Sequence, residues 1–331
     1  MKANTAVIGL GNIGKAIYEK LSGESEYFAA PSLIVTSRYV FDGDFNKLGE
    51  SKDFKRFTDR IDLAFLAVPT DNSGEVELDY ISHFIDRNSK VVTCAKAAAA
   101  FHYNKISDLN GVLGMNASVG GHTGMIGFVR KIRQNYNFNS LRSLEGVVNG
   151  SLNYLWDKIS QGVPQNKALY MAIKKGFTES ADFDFISSVL REINDARLKA
   201  TILANESCFP EILIHPREVT LSENIREIVN EAVSKSKEYR FIVRMGSEEV
   251  KPIDHIAFSS IIKGFRLYGG FEHLKNLQRN LQIPEESNRL TAIDCKGKYH
   301  EGTMAAGAGP EYVVGMMMCD GLKLLGRQQQ W

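Results

Sequence analysis

Near its start the chain reads Ala6-Val7-Ile8-Gly9-Leu10-Gly11-Asn12-Ile13-Gly14-Lys15-Ala16-Ile17. The apolar residues before Gly9 predict a buried strand, and the apolar residues after the glycines recur at helical spacing. The three glycines permit a tight turn, a close approach of the backbone to a pyrophosphate, and close packing of helix on strand. The helix N-terminus offers free N–H groups and the positive end of its dipole to phosphates. The stretch therefore predicts a dinucleotide site formed by Gly9, Gly11, Asn12, Ile13 and Gly14.

Composition limits the classes of protein to consider. The 331 residues suffice for about two domains. Lys and Arg total 40 and Asp and Glu total 39, so we expect no nucleic-acid partner, which would favour a basic face. The cysteines show no paired spacing, and no metal site is predicted from them. We find neither a signal-peptide pattern nor an apolar run near the roughly 20 residues that span a bilayer, and we expect a cytoplasmic protein without membrane contact.

The first third of the chain alternates strand-like and helix-like segments, which predicts an α/β fold with a Rossmann-type, doubly wound parallel sheet. Several strands are continuous apolar runs, as expected for parallel strands covered on both faces. The predicted strands are Thr5–Gly9, Ser32–Thr36, Leu63–Val68, Lys90–Thr93 and Gly111–Met115.

From near Tyr136 the pattern becomes α+β, with a mixed or antiparallel sheet. The predicted strands there are Ser140–Asn149, Tyr239–Met245, Ile261–Leu267 and Leu290–Cys295, and the helices include Asn166–Lys175, Phe185–Asn205 and Tyr312–Leu325. We expect a first domain over residues 1–125, completed by a C-terminal helix within 305–331, and a second domain over residues 126–304.

Arg38 bears on the choice of cofactor. A site for NAD usually has an acidic residue about 20 positions after the glycines, which binds the ribose 2′-hydroxyl. This chain has Thr36, Ser37 and Arg38 in that region. A guanidinium can pair with a 2′-phosphate, so NADP is favoured and NAD stays possible.

Lys96 follows a buried-type strand, and ligands of open α/β sheets bind beyond the carboxyl ends of the strands. A cation is also unfavourable at a helix N-terminus, and Ala97–Ala100 has a helical composition. Both observations favour a functional lysine over a solvent-facing one.

Asp195 and Lys199 lie four residues apart and share a helical face with Leu198 and Ile202. Apolar neighbours on that side indicate a helix covered on two sides and a partly buried pair. A surface ion pair, which contributes little to stability, remains an equal alternative.

Glu179, Asp182 and Asp184 cluster just before this helix. Such acids often serve only as caps and compensate the helix dipole. They could equally bind the ammonium group of an amino-acid substrate.

Taken in order along the chain, these motifs resemble the homoserine dehydrogenase family. The resemblance covers nearly the whole sequence and is most specific in an Asn-Gly-Ser-x-Asn-Tyr element and an Asp-x-x-x-Lys helix. The segments that carry it are Gly9–Gly14, Val91–Lys96, Ala117–Gly121, Gly146–Tyr154, Gly176–Glu179, Asp195–Lys199 and Gly307–Glu311. It implies the reversible reduction of aspartate 4-semialdehyde to homoserine with NAD(P)H, in threonine and methionine biosynthesis. It also implies a substrate-binding and dimerisation domain, in a homodimer or a dimer of dimers.

The family's functional residues can be carried over position by position. Lys199 matches the catalytic lysine, and Lys96 matches the lysine near cofactor and substrate, with the proton donor left open between them. The substrate positions are matched by Glu179, Asp195, Gly150 and Ser151, with Asp182 or Asp184 as a further acid, and the cofactor positions include Gly309.

The chain departs from the family pattern at several positions. Ser151 replaces threonine, Ala95 replaces asparagine, and Asn116 replaces the glutamate that supports a monovalent cation, so no cation is predicted. We expect a short form without kinase or ACT domain. Two alternatives stay open: a related two-domain dehydrogenase of amino or oxo acids, and a catalytically inactive NADP-binding sensor.

Overall fold

Two structural units divide the protein. The computed structural model describes residues 1–135, 141–178, 184–207, 213–277, 281–282, 287–294, 299–306 and 309–327. The first unit consists of Met1–Ser118 together with Pro310–Trp331, and the second of Val119–Gly309. In both units helices pack against a sheet.

The strands are β1 (Ala3–Ile8), β2 (Phe28–Val35), β3 (Tyr39–Asp42), β4 (Lys47–Glu50), β5 (Leu63–Leu66), β6 (Lys90–Thr93), β7 (Leu113–Gly114), β8 (Leu141–Val147), β9 (Thr220–Leu221), β10 (Tyr239–Ser247), β11 (His255–Ile262), β12 (Phe265–His273), β13 (Ser287–Asp294) and β14 (Tyr299–Ala306). The helices are α1 (Asn12–Ser22), α2 (Glu75–Asp86), α3 (Ala97–Phe101), α4 (Tyr103–Ile106), α5 (Met125–Asn135), α6 (Gly150–Ser160), α7 (Gln165–Lys174), α8 (Phe185–Glu206), α9 (Ile225–Ser234) and α10 (Pro310–Leu324).

The first unit is built on a sheet with the strand order β4-β3-β2-β1-β5-β6-β7. Strands β1, β2, β5, β6 and β7 pair in parallel, and β3 and β4 add an antiparallel hairpin at one edge. All four residues of β5 are buried, as expected for a central parallel strand. The predicted α/β class is confirmed.

The glycine turn joins β1 to α1 through close backbone contact. Gly9 adopts a φ of +91°, which is strained for any residue with a side chain. A Cβ on Gly14 would lie 1.8 Å from the carbonyl oxygen of Gly9, so the helix can approach the turn only with glycine at this position. The predicted strand–turn–helix unit is therefore present.

Helix α10 belongs to the first unit although it is the last described helix. Its apolar side chains share a buried cluster with β1 and α1, which includes Val7, Ile17, Val314, Met317 and Leu322. Asp320, only 4% exposed, accepts hydrogen bonds from the backbone N–H of Asn116 at 2.9 Å and from its Nδ2 at 2.7 Å. These contacts fix α10 to the turn that follows β7.

The second unit is built on a sheet with the strand order β14-β13-β8-β10-β12-β11-β9. Every described pair of neighbours in it is antiparallel, which decides between the mixed and antiparallel alternatives. Helix α6 packs on this sheet through Trp156, whose ring lies 4.5 Å from that of Phe271 on β12. Helix α8 contacts β10 and β12.

The single strand predicted over Ile261–Leu267 is wrong. The chain reverses at Lys263 and Gly264, which have φ values of +42° and +79°, and β11 and β12 form a hairpin around them. Two-residue hairpin turns of this kind need positive φ at both positions. The apolar residues on both sides of the turn gave the false impression of one continuous strand.

Within the described ranges, the helices are too short or too polar to cross a bilayer.

Candidate functional site

The glycine turn of the first unit has the shape that a pyrophosphate requires. A Cβ built on Gly11 would meet no described atom within 4 Å, so space is open beside this backbone. Gly11 is the N-cap of α1, whose first turn, described in full, carries Asn12 and Ile13 and no acidic side chain. A helix N-terminus that faces open space, with no acidic side chain in its first turn, suits an anionic ligand. These residues therefore fit the diphosphate of a dinucleotide.

Arg38 lies in the turn between β2 and β3 and is exposed. The backbone N–H of Gly9 donates to the carbonyl of Val35 at 2.7 Å, so the end of β2 lies beside the glycine turn. The hydroxyl of Thr36 accepts hydrogen bonds from the backbone N–H groups of Arg38 and Tyr39, which fixes the turn. Arg38 thus follows the strand end at which a ribose 2′-substituent is expected.

Lys96 lies three residues after Thr93, the last residue of β6, and is the N-cap residue of α3. Its side chain is half-buried. Residues just before it are held by buried polar groups: Thr93 bonds to Glu77, and Ser118 Oγ donates to the carbonyl of Ala95 at 2.7 Å. The lysine therefore stands on a fixed segment of backbone.

Asp195 and Lys199 form an ion pair on α8 in the second unit. Lys199 Nζ lies 2.7 Å from Asp195 Oδ2, and the two side chains are only 26% (Asp195) and 13% (Lys199) exposed. Leu198 and Ile202 on the same side are buried. The pair is therefore partly buried, as the second apolar side of the helix indicated.

Asn149 connects this pair to the start of α6. Its side-chain oxygen accepts from the N–H of Leu152 at 2.8 Å and so caps the helix. Its Nδ2 lies 3.1 Å from Asp195 Oδ2 and 2.9 Å from Glu192 Oε2. One amide thus holds two carboxylates of α8 at the N-terminus of α6.

Glu192 is a member of the site that the sequence analysis missed. Burial and the neighbouring charge of Asp195 raise the pKa of its carboxyl, against the opposing effects of Asn149, Lys199 and Thr178. Glu192 precedes Asp195 by three residues, and Asp195 precedes Lys199 by four, so the three share one face of α8. Following the face of Asp195 and Lys199 by one turn toward the helix N-terminus would have identified Glu192 from the sequence. With Glu192 ionised, these three side chains carry a net charge of −1.

Gly150 and Ser151 form the first turn of α6 and are buried. Ser151 Oγ donates to the carbonyl of Phe177 at 2.5 Å, and the side chain of the next residue, Thr178, bonds to Glu192. The turn after α7 is therefore tied both to the start of α6 and to the acidic face of α8.

The remaining predicted residues are Glu179, Asp182, Asp184 and Gly309. Glu179 and Asp182 are outside the described residues, as are Gly307 and Ala308 of the C-terminal loop. Asp184 is exposed and caps α8, where its Oδ2 accepts from the N–H of Ser187 at 2.8 Å and the bonds from that residue lower its pKa. Asp184 lies about three helical turns before Asp195, a distance of roughly 16 Å along the helix axis. Gly309 has a φ of +107° and immediately precedes α10.

The chain is similar to known homoserine dehydrogenases. A family model described as homoserine dehydrogenase matches residues 128–309. The chain belongs to the homoserine dehydrogenase family. A homoserine dehydrogenase of Sulfurisphaera tokodaii is 27% identical over 263 residues, covering 75% of this chain and 81% of the relative. One of Pyrococcus horikoshii is 26% identical over 270 residues, covering 72% and 80%.

Solved structures of homoserine dehydrogenases share the fold. The enzyme of Thermoplasma acidophilum has a TM-score of 0.68 at 17% identity and covers 98% of this chain and 100% of its own. A hyperthermophilic archaeal homoserine dehydrogenase in complex with NADPH has a TM-score of 0.67 at 16% identity, with 99% of both chains covered.

Proposed function

We propose that this protein interconverts aspartate 4-semialdehyde and homoserine with a nicotinamide cofactor, in the biosynthesis of threonine and methionine. Its family membership and the names of its relatives support this activity. The observation that carries the proposal is the partly buried pair of Lys199 and Asp195, held by Asn149 at the N-terminus of α6. This pair supplies the ammonium group and the carboxylate that an amino-aldehyde substrate requires.

NADP is the proposed cofactor, and NAD is possible. The turn from Gly9 to Gly14 would hold the diphosphate, and Arg38 would pair with a 2′-phosphate. NADPH is the ligand of the archaeal homoserine dehydrogenase that shares this fold. The bound cofactor supplies the hydride for the aldehyde carbon. The protein supplies orientation, charge and the proton.

Lys199 and Lys96 are the proposed catalytic residues, and either can transfer the proton. As negative charge develops on the aldehyde oxygen, an ammonium group within hydrogen-bond distance stabilises it and donates a proton. A lysine with a pKa near the ordinary value of about 10.4 is a good proton donor at neutral pH and a poor acceptor. The reverse reaction, which needs a deprotonated lysine, should therefore be faster in alkali.

The second unit is the proposed site for the amino-acid part of the substrate. When Glu192 is ionised, the net negative charge of Glu192, Asp195 and Lys199 would attract the substrate ammonium, with Glu179 and Asp182 or Asp184 as further acids. The N–H groups of Gly150 and Ser151, at the positive end of α6, would bind the carboxylate. Glu192 therefore joins the residues carried over from the family.

The proposal extends to the organisation of the molecule. We assign dinucleotide binding to the first unit together with Gly309, which immediately precedes α10. Substrate binding and dimerisation are assigned to the second unit. We also propose a homodimer or a dimer of dimers, located in the cytoplasm. Size-exclusion chromatography with light scattering tests the oligomeric state.

The test of the activity is an NADPH-oxidation assay with aspartate 4-semialdehyde, repeated with NADH and with related aldehydes. We expect the semialdehyde to be the best substrate. Faster turnover of another oxo acid would identify a related two-domain dehydrogenase. Tight binding of NADPH without turnover of any semialdehyde would identify a sensor.

A further inference from the structure

A buried carboxylate in the first unit faces the segment that contains Lys96. Glu77, in the first turn of α2, is 2% exposed. Its Oε1 accepts from the hydroxyl of Thr93 at 2.7 Å, and its Oε2 accepts from the backbone N–H of Ala98 at 2.8 Å. These two partners lie on either side of Lys96 in sequence. A single carboxylate therefore holds both ends of the segment.

Helix α3 depends on this carboxylate for its cap. Its N-cap is Lys96, which makes no capping hydrogen bond, although Ser, Thr, Asp and Asn are the residues favoured there. Ala97–Ala100 has no polar side chain to replace it. The N–H of Ala98 is one of the donors that a helix N-terminus leaves without an intrahelical partner. Glu77 satisfies that donor from another helix.

The remaining contacts fix the backbone between these two bonds. Thr93 Oγ1, which donates to Glu77, also accepts from the N–H of Ala95 at 3.1 Å. Ser118 Oγ donates to the carbonyl of Ala95 at 2.7 Å. A Cβ on Gly74, at the start of α2, would lie 2.7 Å from the carbonyl of Ala97, so α2 and α3 are in direct backbone contact. The backbone on either side of Lys96 is therefore held by contacts that include Glu77.

The charges around Glu77 couple it to the same lysine. The pKa of Glu77 is raised, first by burial and also by the charge of Asp71, although the bonds from Ala98 and Thr93 and the charge of Lys96 oppose this change. The Cys94 thiol, a further titratable neighbour, has a pKa raised by burial to about 12 and stays neutral. Protonation of Glu77 would place a hydrogen on one of the two oxygens that accept these bonds and would weaken the bond accepted there. An ammonium group at Lys96 therefore stabilises the ionised, doubly bonded form.

We propose that Glu77 is a positioning residue for Lys96, whose backbone it holds in place through its bonds to Thr93 and Ala98. The inference rests on the proposed function, in which Lys96 acts beside the reacting groups. Glu77 itself touches neither substrate nor cofactor in this account.

A double-mutant cycle tests the proposal. The variants are Glu77→Gln, Lys96→Ala and the combination, assayed for NADPH-dependent reduction of aspartate 4-semialdehyde. Gln keeps the shape of the side chain and one acceptor oxygen. We expect Glu77→Gln to lower kcat about tenfold or more in the wild-type background, because small displacements of a catalytic group are costly, and to have little effect when Lys96 is absent. The matched control is Glu75→Gln, which removes the same charge from an exposed position of the same helical turn.

The pH profile gives a second readout, which a merely structural role would not move. Loss of a neighbouring negative charge lowers the pKa of a lysine, so the rise of homoserine oxidation in alkali should shift by about one pH unit or more toward acid in Glu77→Gln. The profile of Glu75→Gln should stay in place. This readout decides the question if the Lys96→Ala rate is too low to measure.

The outcomes separate the two proposals. Equal losses from Glu77→Gln in both backgrounds, with an unshifted pH profile, would overturn the role of Glu77 and leave that of Lys96 intact. Full activity of Lys96→Ala would overturn both. If Glu77→Gln does not fold, Thr93→Val breaks the same network, with Thr93→Ser as its control, and the same coupling to Lys96→Ala is expected.

Discussion

The replacement of Lys199 by alanine examines the site where the proposal is most specific. Lys199 Nζ lies 2.7 Å from Asp195 Oδ2, and its side chain is 13% exposed. The variant removes the ammonium group and leaves the two carboxylates of α8, Asp195 and Glu192, without their cation. We expect a large loss of turnover with retention of the fold.

The size of the loss can be worked from the contacts. A hydrogen bond from a charged group to a partly buried partner contributes about 1.5–3 kcal/mol, and general acid catalysis typically contributes a factor of about 100 or more. A factor of 100 corresponds to about 2.7 kcal/mol of transition-state stabilisation. The kcat of Lys199→Ala should therefore fall about 100-fold or more.

Steady-state oxidation of NADPH with aspartate 4-semialdehyde measures this effect. The matched control is Lys235→Ala, because Lys235 forms the same four-residue ion pair with Glu231 at 2.9 Å, with both side chains 46% exposed. Exposed pairs contribute about 0.2–1 kcal/mol to stability, so this control should keep near-normal turnover. Near-normal turnover of folded Lys199→Ala would remove Lys199 from the mechanism.

Arg38→Ala should raise the KM for NADPH about tenfold, because one charged hydrogen bond is lost, and should change the KM for NADH little. Steady-state kinetics with both cofactors test this, and equal rises in the two KM values would contradict it. Because the pKa of Glu192 is raised in the folded protein, folding of the wild type takes up a proton above the ordinary carboxyl pKa of 4.5, and its stability falls there as pH rises. Glu192→Gln lacks this proton uptake and should therefore gain stability relative to the wild type over the same pH range. Thermal unfolding from acid to neutral pH checks the sign, and a difference independent of pH would count against it. Ser151→Ala should lose about 1 kcal/mol in denaturant unfolding through its bond to Phe177, whereas Ser151→Thr should keep it; equal stability of all three proteins would refute the contact.

Local sequence patterns were sufficient for much of the fold. The glycine spacing from Gly9 to Gly14 and the apolar runs of the parallel strands specify structure within a few residues of themselves. The hairpin of β3 and β4 was not anticipated, because its strands are four residues each and contain a single buried residue between them. The turn at Lys263 and Gly264 was not predicted, because the apolar residues on both sides of it resemble one continuous strand.

The candidate site was predictable only where its residues share one helix. Asp195 and Lys199 were found by their spacing, and Glu192 lay within reach of the same argument. Asn149 was recognised as part of a motif, but its contact with α8 joins residues that are far apart in sequence. Glu77 resembles an ordinary acid in the first turn of a helix, and its role depends on tertiary contacts with Thr93 and Ala98.

The central claim is that this chain delivers hydride from NADPH to the aldehyde carbon of aspartate 4-semialdehyde. The most direct measurement uses NADPH deuterated at the transferring position, with the product analysed by mass spectrometry and NMR. We expect homoserine with a single deuterium at carbon 4, formed in step with cofactor oxidation. Oxidation of the cofactor without labelled homoserine, or binding without oxidation, would contradict the account.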